Sequence, residues 1–146
     1  MNEEAEKKKK ELFKELLVDD QKPLEILIKR IKKILRLTKS GKPIFIIPYY
    51  NLSDTEKLAI HLIVQYIIKE LGISNKDSMD VAELAKKAGV KYKTATARLS
   101  EMYQEGIVDK TSSGEYYITY VGIEIVIERL EKKFAGEKDE NSKNSL

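Results

Sequence analysis

Residues 80–122 read DVAELAKKAGVKYKTATARLSEMYQEGIVDKTSSGEYYITYVG and contain the local patterns that indicate the fold. Its apolar residues follow helical spacing twice, and a glycine is placed to end each helical segment. Asp80, with Glu83 three residues on, is a capping signal for the first segment. Two alternating runs then flank Ser112-Ser113-Gly114, a hairpin turn signal. The helical positions are Val81, Leu84, Ala85, Ala88, Ala95, Leu99 and Met102, and the glycines are Gly89 and Gly106. The stretch predicts helix, tight turn, helix and two-stranded hairpin.

This order of segments resembles the winged helix-turn-helix of transcription regulators. The resemblance is carried by AELAKKAGV before the turn, ARLSEMYQEGIV through the second helix and YITYVG after the hairpin. With the preceding Tyr116, the last string matches the family's habit of Tyr, any residue, aliphatic, Thr, two residues, Gly. These strings lie within a segment of about forty residues, 82–122. One position departs from the family, which often caps the second helix with Ser or Thr where this chain has Lys91.

The resemblance implies that the second helix, about 92–105, enters the major groove of double-stranded DNA and contacts base edges and phosphates. Ala95, Leu99 and Met102 are expected to face inward. The candidate DNA-binding residues are then Lys86, Lys87, Lys91, Tyr92, Lys93, Thr94, Thr96, Ala97, Arg98, Ser100 and Lys110. The alternative is that Thr94 and Thr96 are merely tolerated exposed positions, with Tyr92 at the core edge. The hairpin tip has Lys110 as its sole nearby cation, so backbone contacts or little contribution are expected from it.

The net charge of +3 is unevenly distributed along the chain. Residues 1–52 contain 13 Lys and Arg against 8 Asp and Glu, whereas residues 53–134 contain 12 against 13. Between Glu83 and Glu101, however, every charge is positive, which is what a local phosphate-binding face requires. The run 29–42 also carries only positive charges. It either follows a phosphate backbone or forms a solvated face.

The flanking sequence predicts an α+β fold, mainly α with small β. Residues 1–22 form a charged segment, helical from about 6 to 18, which is either a dimerisation or docking helix or a frayed, solvated extension. Residues 23–52 predict a helix and a β-hairpin, with a longer helix through Leu37 as the competing interpretation. Residues 53–134 predict the winged domain, with a capping box at Ser53, a long helix to about Leu71 and a C-terminal helix after Thr119. Residues 135–146 are predicted to be a disordered tail.

The residue content argues against catalysis. The chain has no cysteine and one histidine, and it shows no Gly-rich phosphate loop and no metal-ligand cluster. We therefore expect no enzyme activity, no cofactor and no metal, with His61 a solvated residue. No long apolar run or signal peptide is present, which favours a cytoplasmic protein without a membrane partner. The abundance of Lys, Glu and Ile resembles the composition of thermophile proteins.

Two functions of different classes follow. The first is a sequence-specific DNA-binding transcription regulator, a homodimer joined through its terminal helices. The second is a winged helix used for protein contact in a replication or transcription assembly, since winged helices serve both ends. Near-neutral charge over residues 53–134 supports the second function, and the positive segment from Lys86 to Arg98 supports the first.

Overall fold

The computed structural model describes residues 2–17 and 21–144, with side chains described for residues 2–17 and 23–135. Over this part of the chain the backbone forms six α-helices, one short 3-10 helix and two antiparallel hairpins. The elements are α1 (Asn2–Lys14), α2 (Gln21–Ile31), β1 (Leu35–Leu37), β2 (Pro43–Phe45), the 3-10 helix Tyr49–Asn51, α3 (Asp54–Glu70), α4 (Val81–Ala88), α5 (Tyr92–Gln104), β3 (Val108–Lys110), β4 (Tyr116–Ile118) and α6 (Tyr120–Asn144). This is the α+β class that the sequence predicts.

The chain divides into two units, residues 1–30 and residues 31–146. The β1–β2 hairpin therefore belongs to the same unit as α3 to α6, whereas the sequence pattern grouped it with α2 as residues 23–52. The physical reason is ring packing. Phe45 stacks on Tyr49 with ring centroids 4.7 Å apart, and each meets the His61 ring of α3 edge-on at 5.7 Å.

Helix α3 lies at the centre of the second unit, where it contacts α4, α5, α6 and β4. The predicted capping box is confirmed: the Ser53 hydroxyl accepts from the Glu56 amide at 3.2 Å, and the Glu56 carboxylate accepts from the Ser53 amide at 2.8 Å. Seven of its residues are buried: Leu58, Ala59, Ile60, Leu62, Ile63, Val64 and Gln65. A helix with consecutive buried residues needs partners on several sides. The β1–β2 hairpin supplies one of these partners through Phe45, whose ring meets that of His61.

Helices α4 and α5 pack on each other and on α3. The Asp80 carboxylate accepts from the Glu83 amide at 2.7 Å, and Gly89 ends α4 with φ of 73°, a conformation that favours glycine. The predicted inward residues are buried, with exposures of 0% for Ala95, 0% for Leu99 and 1% for Met102. The elements predicted for residues 80–122 are thus confirmed one by one.

The β3–β4 hairpin is tied to the loop that precedes α4. Met79 exchanges two backbone hydrogen bonds with Tyr116, each 2.9 Å long. The chain at Met79 therefore pairs with β4 as a one-residue antiparallel bridge. The buried Gln65 side chain donates to the Lys76 carbonyl at 2.7 Å and thereby holds the same loop against α3. These contacts fix the hairpin relative to α3 and α4.

Helix α6 begins with a close approach of two backbones. The Thr119 hydroxyl accepts from the Gly122 amide at 2.8 Å, which confirms Thr119 as an N-cap. The Ile107 carbonyl accepts from the Thr119 amide at 3.1 Å. A Cβ atom on Gly122 would overlap the Ile107 carbonyl oxygen. The spacing Thr, two residues, Gly therefore has a packing reason: the helix lies directly on the backbone of Ile107, the residue that precedes β3.

The C-terminal helix has the apolar stripe that its spacing predicts. Ile123, Val126, Ile127 and Leu130 are each 4% exposed or less. Backbone helix continues to Asn144, into the range 135–146 for which the composition predicts disorder. Each added helical residue gains one backbone hydrogen bond, so a polar extension can propagate from a packed helix without burying side chains.

The N-terminal elements differ from the predicted boundaries in detail. Helix α1 spans residues 2–14 rather than 6–18, because Glu3 and Glu4 in its first turn favour an early start. Val18 lies outside the described residues. Helix α2 ends at Ile31 and strand β1 follows, so the hairpin is confirmed and the competing longer helix is wrong. None of the described helices is long and apolar enough to cross a bilayer.

Candidate nucleic-acid interface

Helix α5 presents a polar face to solvent opposite its buried stripe. Tyr92 is 60% exposed, so it lies on the surface and not at the edge of the core. Lys93, Thr96, Ala97 and Ser100 are exposed, while Thr94 and Arg98 are half-buried. Most of these side chains are short. Helix α5 can therefore approach another molecule closely along this face.

The first turn of α5 lacks a side-chain cap. Lys91 occupies the N-cap position in an extended conformation and makes no capping hydrogen bond. The amides of the first helical turn have no acceptor within their own helix, and aligned peptide dipoles add partial positive charge there. Lys91 and Lys93 add two full charges. This end of α5 is electrostatically suited to an anion such as a phosphate.

Four lysines flank the turn between α4 and α5. Lys86 and Lys87 occupy the last turn of α4, and Lys91 and Lys93 the start of α5. Lys87 is paired with Glu83 at 3.5 Å. Within the described part of the chain, the other three form no salt bridge. The structure thus brings these four predicted residues together on two consecutive elements.

Arg98 and Thr96 are already engaged within α5. The Arg98 guanidinium donates to the Glu101 carboxylate at 3.1 Å, and the two side chains are 42% and 55% exposed. Exposed pairs of this kind contribute roughly 0–1 kcal/mol, so a phosphate can replace Glu101 at small cost. The Thr96 hydroxyl donates to the Tyr92 carbonyl at 3.0 Å. Its proton is used, so it offers a partner an acceptor oxygen and a methyl group.

The β3–β4 hairpin presents little positive charge. The Lys110 ammonium lies over the rings of Tyr116, at 5.0 Å, and Tyr103, at 5.6 Å. The Glu115 carboxylate accepts from the Ser78 hydroxyl at 2.7 Å and from the Lys76 ammonium at 3.1 Å. The hairpin therefore directs its charged groups towards its own protein.

A hydrogen-bonded pair beneath the turn has no signature in the sequence. The Tyr49 hydroxyl donates to the Ala88 carbonyl at 2.6 Å and contacts His61 Nε2 at 3.0 Å. Ala88 is the last residue of α4, so Tyr49 fixes the point where the chain turns towards α5. The prediction of a solvated His61 is wrong. Contacts between residues 39 positions apart leave no periodic pattern that could reveal them.

The hydrogen-bond pattern assigns the proton in this network. The Tyr49 hydroxyl gives its proton to Ala88, so it must accept from His61, which places the imidazole proton on Nε2. Burial lowers the pKa of His61 to about 4, and the positive charge of Lys87 acts in the same direction. Burial also raises the pKa of Tyr49 to about 12. The network is therefore neutral at pH 7.

The described residues contain no group of three or more His, Cys, Asp or Glu side chains arranged to hold a metal ion. No protein-family model matches the chain, and a search of curated proteins finds no match. Function is therefore inferred from the residues and their geometry.

Proposed function

We propose that the chain is a sequence-specific, double-stranded DNA-binding transcription regulator of the winged-helix type, with α5 in the major groove. The observation that carries the proposal is the cationic, uncapped start of α5. Lys91 and Lys93 stand beside first-turn amides that no side chain occupies. Phosphates are the anions that such a helix end accepts, and they dominate the affinity of DNA binding.

Sequence reading would fall to the exposed face beyond the first turn. Thr96 offers an acceptor and a methyl group, and the Ala97 methyl suits contact with a thymine methyl. Lys93 would position the helix through phosphate, and Arg98 would join it after releasing Glu101. In this division of roles, Lys86, Lys87 and Lys91 anchor the turn to the backbone, while Tyr92, Thr94 and Ser100 flank the reading positions.

We expect Lys93→Gln to weaken duplex binding about tenfold at 0.1 M salt. It should also lower the slope of log affinity against log salt by about 0.9, because one phosphate contact is lost. Arg98→Gln should have a smaller effect, since its guanidinium is shared with Glu101. Fluorescence anisotropy with a duplex selected from a random pool measures both quantities.

The matched control is Lys132→Gln, which removes an exposed lysine from α6 that is paired with Glu128 at 3.2 Å. It should leave affinity and slope unchanged. Absence of duplex binding by the wild-type protein at 20 mM salt would overturn the proposed function. Equal losses in Lys93→Gln and Lys132→Gln would show general charge attraction in place of a docked helix.

The proposed regulator is a dimer of two copies joined through terminal helices. Four large apolar side chains at or just beyond α1 are exposed: Leu12 at 66%, Phe13 at 59%, Leu16 at 75% and Leu17 at 75%. A second copy would cover this apolar stripe and place two α5 helices on two half-sites. Light scattering should return twice the chain mass of 16.8 kDa. A monomer at micromolar concentration would contradict the dimer.

The same exposed stripe favours the second candidate, a winged helix that docks on another protein. If the chain has that function, wild type does not bind duplex DNA, and Lys93→Gln has no effect on DNA binding. A stable heterologous partner should then co-purify, and substitution of Leu12 and Leu16 by Lys should release it. The two functions therefore differ in which variants have an effect.

A further inference from the structure

The two hairpins are built alike, although they lie 73 residues apart. Residues 34–46 read ILRLTKSGKPIFI, and residues 107–119 read IVDKTSSGEYYIT. Each has two three-residue strands joined by a loop of the form Thr-x-Ser-Gly-x. Each loop glycine has a positive φ, 90° for Gly41 and 87° for Gly114. The repeat is therefore one of backbone geometry as well as of sequence.

The hydrogen bonds of the two loops correspond one to one. The Thr38 amide donates to the Lys42 carbonyl at 2.9 Å, as the Thr111 amide does to Glu115 at 2.8 Å. The threonine hydroxyl accepts from the last loop amide in both, at 3.0 Å and 3.1 Å. At the base, the Ile34 carbonyl accepts from the Ile46 amide at 2.8 Å, and Ile107 accepts from Thr119 at 3.1 Å.

At three matching positions, the first hairpin has a cation where the second has an acidic or neutral residue. Arg36, Lys39 and Lys42 stand in the first hairpin where the second has Asp109, Ser112 and Glu115. The first hairpin is thus cationic where the second is acidic or neutral. No acidic residue occurs between Glu25 and Asp54.

These cations are also free of carboxylate partners. Lys32, Lys33, Arg36, Lys39 and Lys42 are exposed, and within the described residues none forms a salt bridge. Among the described residues, the Arg36 side chain donates only to the Lys32 carbonyl, at 3.4 Å. The hairpin backbone is anchored by contrast, since a Cβ atom on Gly41 would lie 3.1 Å from the Ile68 side chain of α3. A fixed hairpin thus presents three unpaired charges, and the two lysines that precede it add two more.

We infer that the β1–β2 hairpin, with the lysines that precede it, is a second DNA-backbone contact that does the phosphate binding for which the β3–β4 hairpin lacks charge. This inference rests on the proposed function and adds a surface to it. The ligand is the phosphate backbone of a duplex, read without regard to sequence, because mobile lysines and one arginine supply charge and no fixed base pattern.

An anionic membrane is the competing ligand for a cationic surface. Ile44, at 52% exposure, and Ile46, at 54%, accompany the cations. Even a complete acyl chain gives only marginal, reversible membrane binding. Two half-exposed isoleucines bury far less apolar surface than that. The presence of α5 and its cations in the same unit of the chain favours the duplex.

The test is the triple variant Arg36→Gln, Lys39→Gln and Lys42→Gln, measured by anisotropy on a 24-base-pair duplex of random sequence. All three side chains are exposed, so the variant should keep the wild-type circular dichroism spectrum and melting temperature. We expect affinity at 0.1 M salt to fall tenfold or more. The slope of log affinity against log salt should fall by about 1 to 3, which corresponds to one to three phosphates.

The matched control removes charge from α6. Arg129→Gln with Lys132→Gln takes away two cations that are each paired with a carboxylate, at 3.3 Å and 3.2 Å. It should leave affinity within twofold of wild type. A second control, Ser112→Gln, changes the matching loop position of the β3–β4 hairpin and should also be silent.

The outcomes separate this inference from the function on which it rests. If wild type binds and Lys93→Gln weakens binding while the triple variant equals wild type, the hairpin contact is wrong and the proposed function stands. If wild type does not bind duplex at 20 mM salt, both are wrong. If the triple variant loses the binding of wild type to vesicles containing phosphatidylserine but binds duplex as wild type does, the hairpin contacts membranes and the inference is overturned.

Discussion

Gly122→Ala is expected to lower the free energy of unfolding by about 2 kcal/mol and the melting temperature by roughly 5–10 °C. The added Cβ would overlap the Ile107 carbonyl oxygen and lie 2.9 Å from the Thr119 hydroxyl. Neither group can yield easily. That carbonyl accepts from the Thr119 amide, and the hydroxyl caps the helix that Gly122 belongs to. Relief requires α6 to move away from the hairpin.

Helix propensity acts in the opposite direction and must be subtracted. Alanine in a helix interior is favoured over glycine by about 1 kcal/mol. Overpacking against fixed backbone costs about 3 kcal/mol, the upper end of the usual range, because no flexible side chain can absorb the overlap. The steric effect therefore exceeds the gain in propensity.

Gly136→Ala is the matched control, since the same helix α6 contains both glycines. Substitution there should leave stability unchanged or raise it by up to about 1 kcal/mol. Chemical denaturation followed by circular dichroism measures both variants. Equal stability of Gly122→Ala and wild type would show that α6 does not lie on the Ile107 carbonyl as described.

The stability of wild type is expected to fall by on the order of 2 kcal/mol as pH is lowered from 7 to 4, because of His61 alone. Burial lowers the pKa of the folded imidazole from 6.5 to about 4. Protons therefore bind the unfolded chain preferentially between these two values, and stability is lost across that window. Above pH 6.5 the contribution is fully present, and below pH 4 it is gone. Because the ring is partly exposed, this loss is smaller than the full difference in pKa would give.

Carboxylates contribute in a lower window. For Glu56, burial raises the pKa, but hydrogen bonds from Lys133 and Ser53 outweigh it and place the pKa below the usual 4.5. Its stabilisation is therefore present above 4.5 and is lost as pH falls through the folded pKa. Measurements between pH 7 and 5 isolate His61.

His61→Gln supplies the control, because a glutamine amide can still donate to the Tyr49 hydroxyl but does not titrate. Its free energy of unfolding should be flat between pH 7 and 5, where that of wild type declines. The chain has one histidine, so its imidazole proton resonances in NMR report a single pKa. A measured value near 6.5 would contradict the buried network.

Residues 80–122 show how much of the fold local sequence patterns predict. Two helices, their glycine ends and the hairpin follow from local patterns, because capping, helical spacing and turn chemistry operate within four or five residues of chain. Inward and outward positions on α5 follow from the same spacing, which predicts Ala95, Leu99 and Met102 in the core. Much of the candidate site lies on this one helix, so it was accessible to the same reasoning.

Pairings between distant segments lay beyond those patterns. The hydrogen bonds that join Tyr49 to Ala88 and to His61, and those that Ser78 and Lys76 make with Glu115, alter what each group can offer a partner. The prediction of a solvated His61 is wrong for this reason. On its helix His61 falls in the polar stripe, and the packing of Phe45 and Tyr49 against its ring changes its solvation.

Local sequence patterns specify the order and type of the elements in residues 80–122 and the density of positive charge near α5. Long-range contacts specify which cations remain unpaired, that the first hairpin belongs with α3, and that Gly122 must lie against a carbonyl. The two sets of features differ because the interactions behind them act over different separations along the chain. Helix and turn preferences act between neighbours in the chain, whereas desolvation, ion pairing and backbone contact depend on segments that only folding brings together.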